Sequence, residues 1–252
     1  ANTYIGIFII MFSVISSGMV AVMTQNIGAG RPGVAYQARQ LGLAFNAVLG
    51  VIMSLFLSLG AGTILSGVGV ADALMQPAKT YLQIVGGFCI LNALIPICSS
   101  YLRAFGFSKE PLYASIIGNV INFCLNAFFL FVLHKGVAGV ATATVISRII
   151  NLVIVVLLGA VLVKAKQHPE RESNRAVMGQ IIRIGLPSAC ETAIYNVSMT
   201  LVIRFLNQMD AQGLNVTARS YTMQITNFSY CVGAALAQAN AIMTGWHIGA
   251  KE

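Results

Sequence analysis

The chain has 252 residues, 57% of them hydrophobic and only 9% charged, with a formal net charge of +8. A soluble domain carries roughly 25% charged residues, so a water-soluble fold of this size could not clothe its surface with so few. The basic residues sit singly between apolar runs rather than as a stripe, which sets nucleic-acid binding aside. Composition therefore specifies a polytopic membrane protein.

A bilayer core about 30 Å thick needs about 20 mostly apolar helical residues. In chain order that ruler gives seven spans: Ile5–Gln25, Leu41–Ser66, Tyr81–Tyr101, Leu112–Leu133, Val137–Val163, Ile184–Leu206 and Val216–Met243. These runs are too long for strands and lack a period-2 alternation, so the fold class is all-α. Glycine and proline punctuate the connections, as in Gly28-Ala29-Gly30-Arg31-Pro32-Gly33 after the first span and Gly106 to Pro111 after the third. The one long polar stretch, 164–183, separates five spans from two and reads as a linker between an N-terminal lobe (1–163) and the start of a C-terminal lobe (184–252).

Orientation follows from the basic residues. Arg31, Arg39, Arg103, Lys109, Lys251 and the five of the linker lie on one side, against Lys79, Lys135, Arg204 and Arg219 on the other. That imbalance places the linker in the cytoplasm and the protein in the cell's inner membrane. An internal repeat accounts for the odd span count. Met23-Thr24 followed by Ile27-Gly28-Ala29 recurs, with one insertion, as Met243-Thr244 and Ile248-Gly249-Ala250, six spans later. An even number of spans between the copies gives a parallel repeat of six-helix units. On this pattern the chain is expected to be a piece of a twelve-helix protein, lacking one helix before it and four after it.

The same segments, with others, resemble the multidrug and toxic compound extrusion (MATE) transporters. The matching pieces are Gln25-Asn26-Ile27-Gly28-Ala29-Gly30-Arg31, Leu102-Arg103-Ala104-Phe105-Gly106 leading to Pro111, Asn122 and Asn126 followed by Gly136 to Ser147, Ile184-Gly185-Leu186-Pro187, and Gly245 to Ala250. They run nearly end to end, in family order, as family helices two to eight. The resemblance implies a two-lobe (6+6) secondary antiporter that exports amphipathic, often cationic compounds in exchange for Na⁺ or H⁺ by alternating access. It implies a small-molecule substrate, a monomer in the lipid bilayer and no organic cofactor. A flippase for lipid-linked sugars and an inactive truncated transporter are the alternatives.

Glu191 is the only acid inside a span, which makes it a functional-site candidate, as a coupling group or a counter-charge for a cation. The competing reading places it near the headgroups or in a structural pair. Asn122 and Asn126, spaced i, i+4, share one helix face, and with Thr144 of the next span they offer neutral oxygens to Na⁺ or bond helices together. In the family branch with a cation site in this lobe, the position of Asn126 is commonly Asp, a departure that weakens a Na⁺ or H⁺ site here. Asn227 and Gln238 belong to a polar face of the seventh span that lipid would not tolerate, so that face meets a water-filled cavity or other helices, and Tyr195 and Tyr221 line such a cavity or pack in the ordinary way. Arg148 lies mid-span and pairs internally, snorkels or meets substrate. The five cysteines show no metal or redox spacing and read as small buried hydrophobes. No GxxxxGK[ST] motif is present, and the chain shows no set of catalytic groups. Cysteine-accessibility labelling of the complete protein in intact cells is expected to leave position 171 protected and to label positions 79 and 135 from outside; labelling of 171 would reverse the orientation.

Overall fold

The computed structural model describes residues 2–67, 72–163, 170–209 and 214–251. Among them every regular element is helical: α1 (Asn2–Gly28), α2 (Pro32–Leu59), α3 (Ala61–Gly67), α4 (Asp72–Gly87), α5 (Ile90–Ala104), α6 (Lys109–Ala127) continued by a π turn (Phe128–Val132), α7 (Gly136–Leu162), α8 (Asn174–Met209) and α9 (Leu214–Ala250). Three helices are long and apolar enough to cross a membrane unaided: Pro32–Leu59, Lys109–Val132 and Gly136–Leu162. The pair α4–α5 makes a fourth span if its bend is counted as one crossing.

Glycine stops two of these helices in the same way. After α1, the Gly30 N–H bonds to the Ile27 carbonyl at 3.0 Å and the Arg31 N–H to that of Asn26 at 2.8 Å. After α5, Gly106 bonds to Arg103 at 3.0 Å and Phe107 to Leu102 at 3.0 Å. Both are Schellman stops, which need a left-handed residue, and Gly30 and Gly106 have φ of +72° and +88°. Pro32 then opens α2 in its first turn.

The third expected span, Tyr81–Tyr101, is not one straight helix. It breaks after Gly87 and bends by 42° into α5. The Ser54 hydroxyl of α2 accepts the Ile90 N–H at 3.1 Å, satisfying one of the donors that the break exposes. Gly50 and Gly86 let the neighbouring helix approach here, as expected for small residues. A Cβ on Gly50 would lie 2.9 Å from Ile90 Cα, and one on Gly86 2.9 Å from Leu57 Cβ. The π turn at Phe128–Val132 is likewise absent from the sequence reading, and α8 begins ten residues before the apolar run at Ile184, inside the expected linker. Of the cysteines, Cys98 is buried, whereas Cys124, Cys190 and Cys231 lie on exposed helix faces. Lys164, Lys166 and His168 of the linker fall outside the described residues.

The core is built around α1 and α5. Ile15, Met19, Val22 and Met23 of α1 meet Val34, Ala35 and Ala38 of α2, Ile97, Tyr101 and Leu102 of α5, and Val177 and Ile181 of α8. Tyr101 is 1% exposed, and the Arg39 guanidinium lies 4.5 Å from its ring centroid. The α8 and α9 contacts on α1 run through glycine. A Cβ on Gly18 would overlap the Ile181 carbonyl of α8, one on Gly28 the Trp246 carbonyl of α9, and one on Gly249 the Gln25 carbonyl of α1. The last two contacts are counterparts of one another at a single crossing. The 221-residue offset of the Ile-Gly-Ala element carries Gly28 onto Gly249 and Gln25 onto Trp246, so a pseudo-two-fold axis passes through this crossing. Thr24 sits against Gly245, its own counterpart at that offset. The Met-Thr words of the repeat fall one residue out of this register and are not symmetry partners.

That symmetry sets an expectation for stability. Gly28→Ala and Gly249→Ala each force backbone apart at one crossing, and overpacking of this kind costs about 1–3 kcal/mol. The two losses are expected to be similar, and the double variant to lose less than their sum, because the first substitution already opens the shared contact. Thermal unfolding of the purified complete protein measures this; full additivity would show the contacts to be separate.

Candidate functional site

The polar residues of α6 and α7 fall on facing stripes. Asn119, Asn122 and Asn126 follow i, i+3, i+7 on α6, and Thr144, Ser147, Arg148 and Asn151 follow i, i+3, i+4, i+7 on α7. Both stripes lie near the middle of their apolar helices, where an unpaired polar group costs several kcal/mol. The stripes satisfy one another in part. Asn126 Nδ2 donates to Asn122 Oδ1 at 3.0 Å, and Asn122 Nδ2 donates to Ser147 Oγ at 3.2 Å. Ser147 Oγ donates to the Thr144 carbonyl at 2.9 Å, and Thr144 Oγ1 to the Val140 carbonyl at 2.9 Å.

Gly118 opens a space between these helices: a Cβ there would come within 3.3 Å of the Asn151 side chain. The result is a cavity of about 140 Å³ lined by Gly118, Asn119, Asn122, Thr144, Ser147, Arg148 and Asn151. Arg148 Nη1 reaches across to Asn92 Oδ1 of α5, which ties a third helix to the cavity. Asn126 Oδ1 and Asn151 Oδ1 are buried without a partner. The structure thus brings Asn122 and Thr144 into one cavity and holds Asn126 beside Asn122. It adds Asn92, Ser147 and Asn151, which the sequence reading passed over, and Asn119, whose i, i+3, i+7 spacing with Asn122 and Asn126 was there to be counted.

The other candidates lie elsewhere. Glu191 and Tyr195 are on an exposed stretch of α8, and Tyr195 is 57% exposed. Tyr221 and Asn227 are exposed on α9. Gln238 lines a second cavity, of about 340 Å³, with Ala239, Ile242, Met243 and Trp246 of α9 and with Arg103, Gly106 and Ser108 of the α5–α6 corner. Trp246 Nε1 closes its floor by donating to the Ala104 carbonyl at 3.1 Å, which occupies an acceptor at the end of α5. The two cavities share no residue. The side chains of Arg204 and Arg219 lie outside the described residues.

On the linker side, Gln37 of α2 grips the segment that precedes α8. Its Nε2 donates to the Glu172 carbonyl at 2.7 Å and its Oε1 accepts the Glu172 N–H at 3.0 Å, so one amide pairs with the backbone on both edges. The same Nε2 reaches Asn174 Oδ1 at 2.5 Å. Arg31 Nη1 adds an ion pair to Glu172 Oε1 at 2.5 Å.

Comparison with known proteins agrees with this architecture. The MatE family model matches residues 1–128. The chain is 31% identical over 258 aligned positions to "Uncharacterized transporter YisQ" of Bacillus subtilis (strain 168), covering 100% of this chain and 56% of that protein. It is 25% identical to "Probable multidrug resistance protein YoeA" of the same organism, over 83% of this chain and 47% of the relative. A crystal structure of MATE in the bent conformation superposes with a TM-score of 0.87 at 19% identity, over 99% of this chain and 56% of that one. The chain is a membrane protein with the fold of the MATE transporters, and it belongs to the MatE family. It spans about half the length of the curated relatives it matches.

Asn126 provides a test of the α6–α7 stripe. Asn126→Asp places a charge where the structure supplies one amide neighbour and no cation bonded to it, so yield and unfolding temperature of the complete protein are expected to fall. Transport that instead gains Na⁺ dependence in this variant would show that the stripe is a cation site.

Proposed function

We propose that the chain supplies the first lobe and the opening of the second lobe of a cation-coupled antiporter that exports amphipathic, often cationic compounds. The observation that carries the reading is the pseudo-symmetric crossing of α1 and α9, where the two lobes touch backbone to backbone at one end. A rocking transporter needs a contact between equivalent elements of its two halves that can part as a unit. Glycine gives one, since the contact rests mainly on backbone brought close rather than on long interlocking side chains.

The substrate assignment is supported by the names of relatives such as "Probable multidrug resistance protein YoeA" and by the faces of α8 and α9. Those faces combine Tyr195, Tyr221, Phe228 and Tyr230 with the amides of Asn227 and Gln238. Aromatic rings hold cations and flat amphiphiles without strict geometry. Glu191, on the same exposed side of α8 as Tyr195, supplies the negative charge that attracts a cationic compound and that an incoming Na⁺ or H⁺ competes for. Competition for one carboxylate couples the two fluxes. The linker lies in the cytoplasm of the inner membrane in this reading, so the α1–α9 contact closes the inner end.

The test uses vesicles containing the complete protein, with Na⁺ and H⁺ gradients imposed separately. Export of a cationic dye is expected under one of the gradients. Glu191→Gln preserves volume and hydrogen bonding but removes the charge, and it is expected to insert normally while losing at least ~10-fold in dye export, about 1.4 kcal/mol. Export by the Gln variant at the wild-type rate from pH 6 to 8 would remove Glu191 from the mechanism, and no export under either gradient would overturn the antiporter reading.

A further inference from the structure

The α6–α7 cavity has chemistry that export of a cation leaves unused. Among the described residues Arg148 is its only charged lining side chain, and none of them lines it with a carboxylate. Arg148 sits near the middle of α7, a span with a mean hydropathy of 2.6. A guanidinium at that depth is costly, and it does not shed its proton to escape the cost. Among the described residues its bonded partner is the neutral Asn92 Oδ1, which accepts a hydrogen bond and brings no negative charge.

The neighbouring groups define what else the cavity offers. Asn122 is engaged at both ends, by Asn126 and Ser147, and the Thr144 hydroxyl is spent on its own helix. Asn119, on the exposed rim, and Asn151 remain, and of the two Asn151 has its Oδ1 buried and unpartnered. The site therefore combines a fixed cation with donors to spare and an orphaned neutral acceptor. A Na⁺ ion would meet the guanidinium with no carboxylate to offset the repulsion, whereas hard-cation sites draw carboxylates in. A carboxylate matches the planar guanidinium fork. A hydroxyl beside it would satisfy the orphaned acceptor. The volume, about 140 Å³, is that of four to five waters at ~30 Å³ each, enough for a three-carbon acid.

We propose that this cavity binds the carboxylate of a small hydroxylated organic acid, with Arg148 holding the carboxylate and Asn151 Oδ1 accepting its hydroxyl. The inference builds on the transporter reading: it assigns the first lobe an anionic substrate group, and leaves the cationic one to Glu191 in the second.

Equilibrium dialysis of the purified complete protein against radiolabelled lactate tests it, with propionate as the competitor that lacks only the hydroxyl. Lactate is expected to bind, and propionate to compete at least tenfold more weakly. Arg148→Gln is expected to weaken lactate binding at least tenfold. Asn151→Asp places a carboxylate beside Arg148, pairs with it internally and is expected to abolish lactate binding while the unfolding temperature holds or rises. Absence of lactate binding to the wild type, or wild-type affinity in a folded Asn151→Asp protein, would overturn the proposal. Dye export under an ion gradient without lactate binding would sink this inference alone; lactate binding without any gradient-driven export would sink the transporter reading and leave the site.

Discussion

Among the described residues, α8 and α9 attach to the preceding helices mainly through the backbone of α1. In a bilayer, helices gain nothing from hiding apolar surface from water, because lipid tails are as apolar as leucine. Association then depends on how closely two backbones can approach. Gly18, Gly28 and Gly249 set that distance on the α8 and α9 sides of α1, and the Cβ of any other residue would collide with a carbonyl. Such contacts are short-ranged and involve few side-chain rotamers, so a small displacement abolishes them together. In the proposed transporter such contacts would make or break as a unit rather than stretch as a graded spring, the property an alternating-access gate requires.

The same end of the molecule also anchors the segment that leads into α8. The Schellman stop after α1 places Arg31 at the corner, where it pairs with Glu172, and α2 begins at once so that Gln37 falls two turns later beside the same segment. Crossing, corner and linker anchor thus come from one stretch, 24–37, of which residues 25–31 gave the first family resemblance. Their sequence pattern reflects helix termination and close packing; a binding site is not needed to explain it.

Much of this was legible in the sequence. Apolar runs mark spans because hydropathy and length are local quantities, and Gly30 and Gly106 mark stops because only glycine takes a left-handed backbone at little cost. The break at Gly87 was not legible. Window hydropathy does not sense direction, and Gly86-Gly87 carries the same letters whether it permits a close approach or a bend. Its decisive partner, Ser54, is 36 residues away and looks like any small residue in an apolar helix. The candidate site divides in the same manner. Asn122 with Asn126 stood out by spacing within one helix. Asn92 enters from α5 and Asn151 matters because Gly118 faces it, and both are relations between helices that no spacing in one segment encodes.

The polarity of the α6–α7 cavity depends on one further distinction, that between arginine and lysine. A lysine buried mid-span can lose its proton and become a neutral amine, so its presence would imply no lasting charge. Arginine keeps its charge, and here it keeps it beside amides that can solvate but not neutralise it. Position 126 carries the neutral amide of Asn rather than a carboxylate, and Arg148 then sets the field. An oxygen-rich cavity that would otherwise favour a cation becomes one that attracts an anion, with no change in the helices that frame it. Fold and ligand charge are thus decided by different residues, which is why helices shared across a family do not fix the class of compound that its members carry.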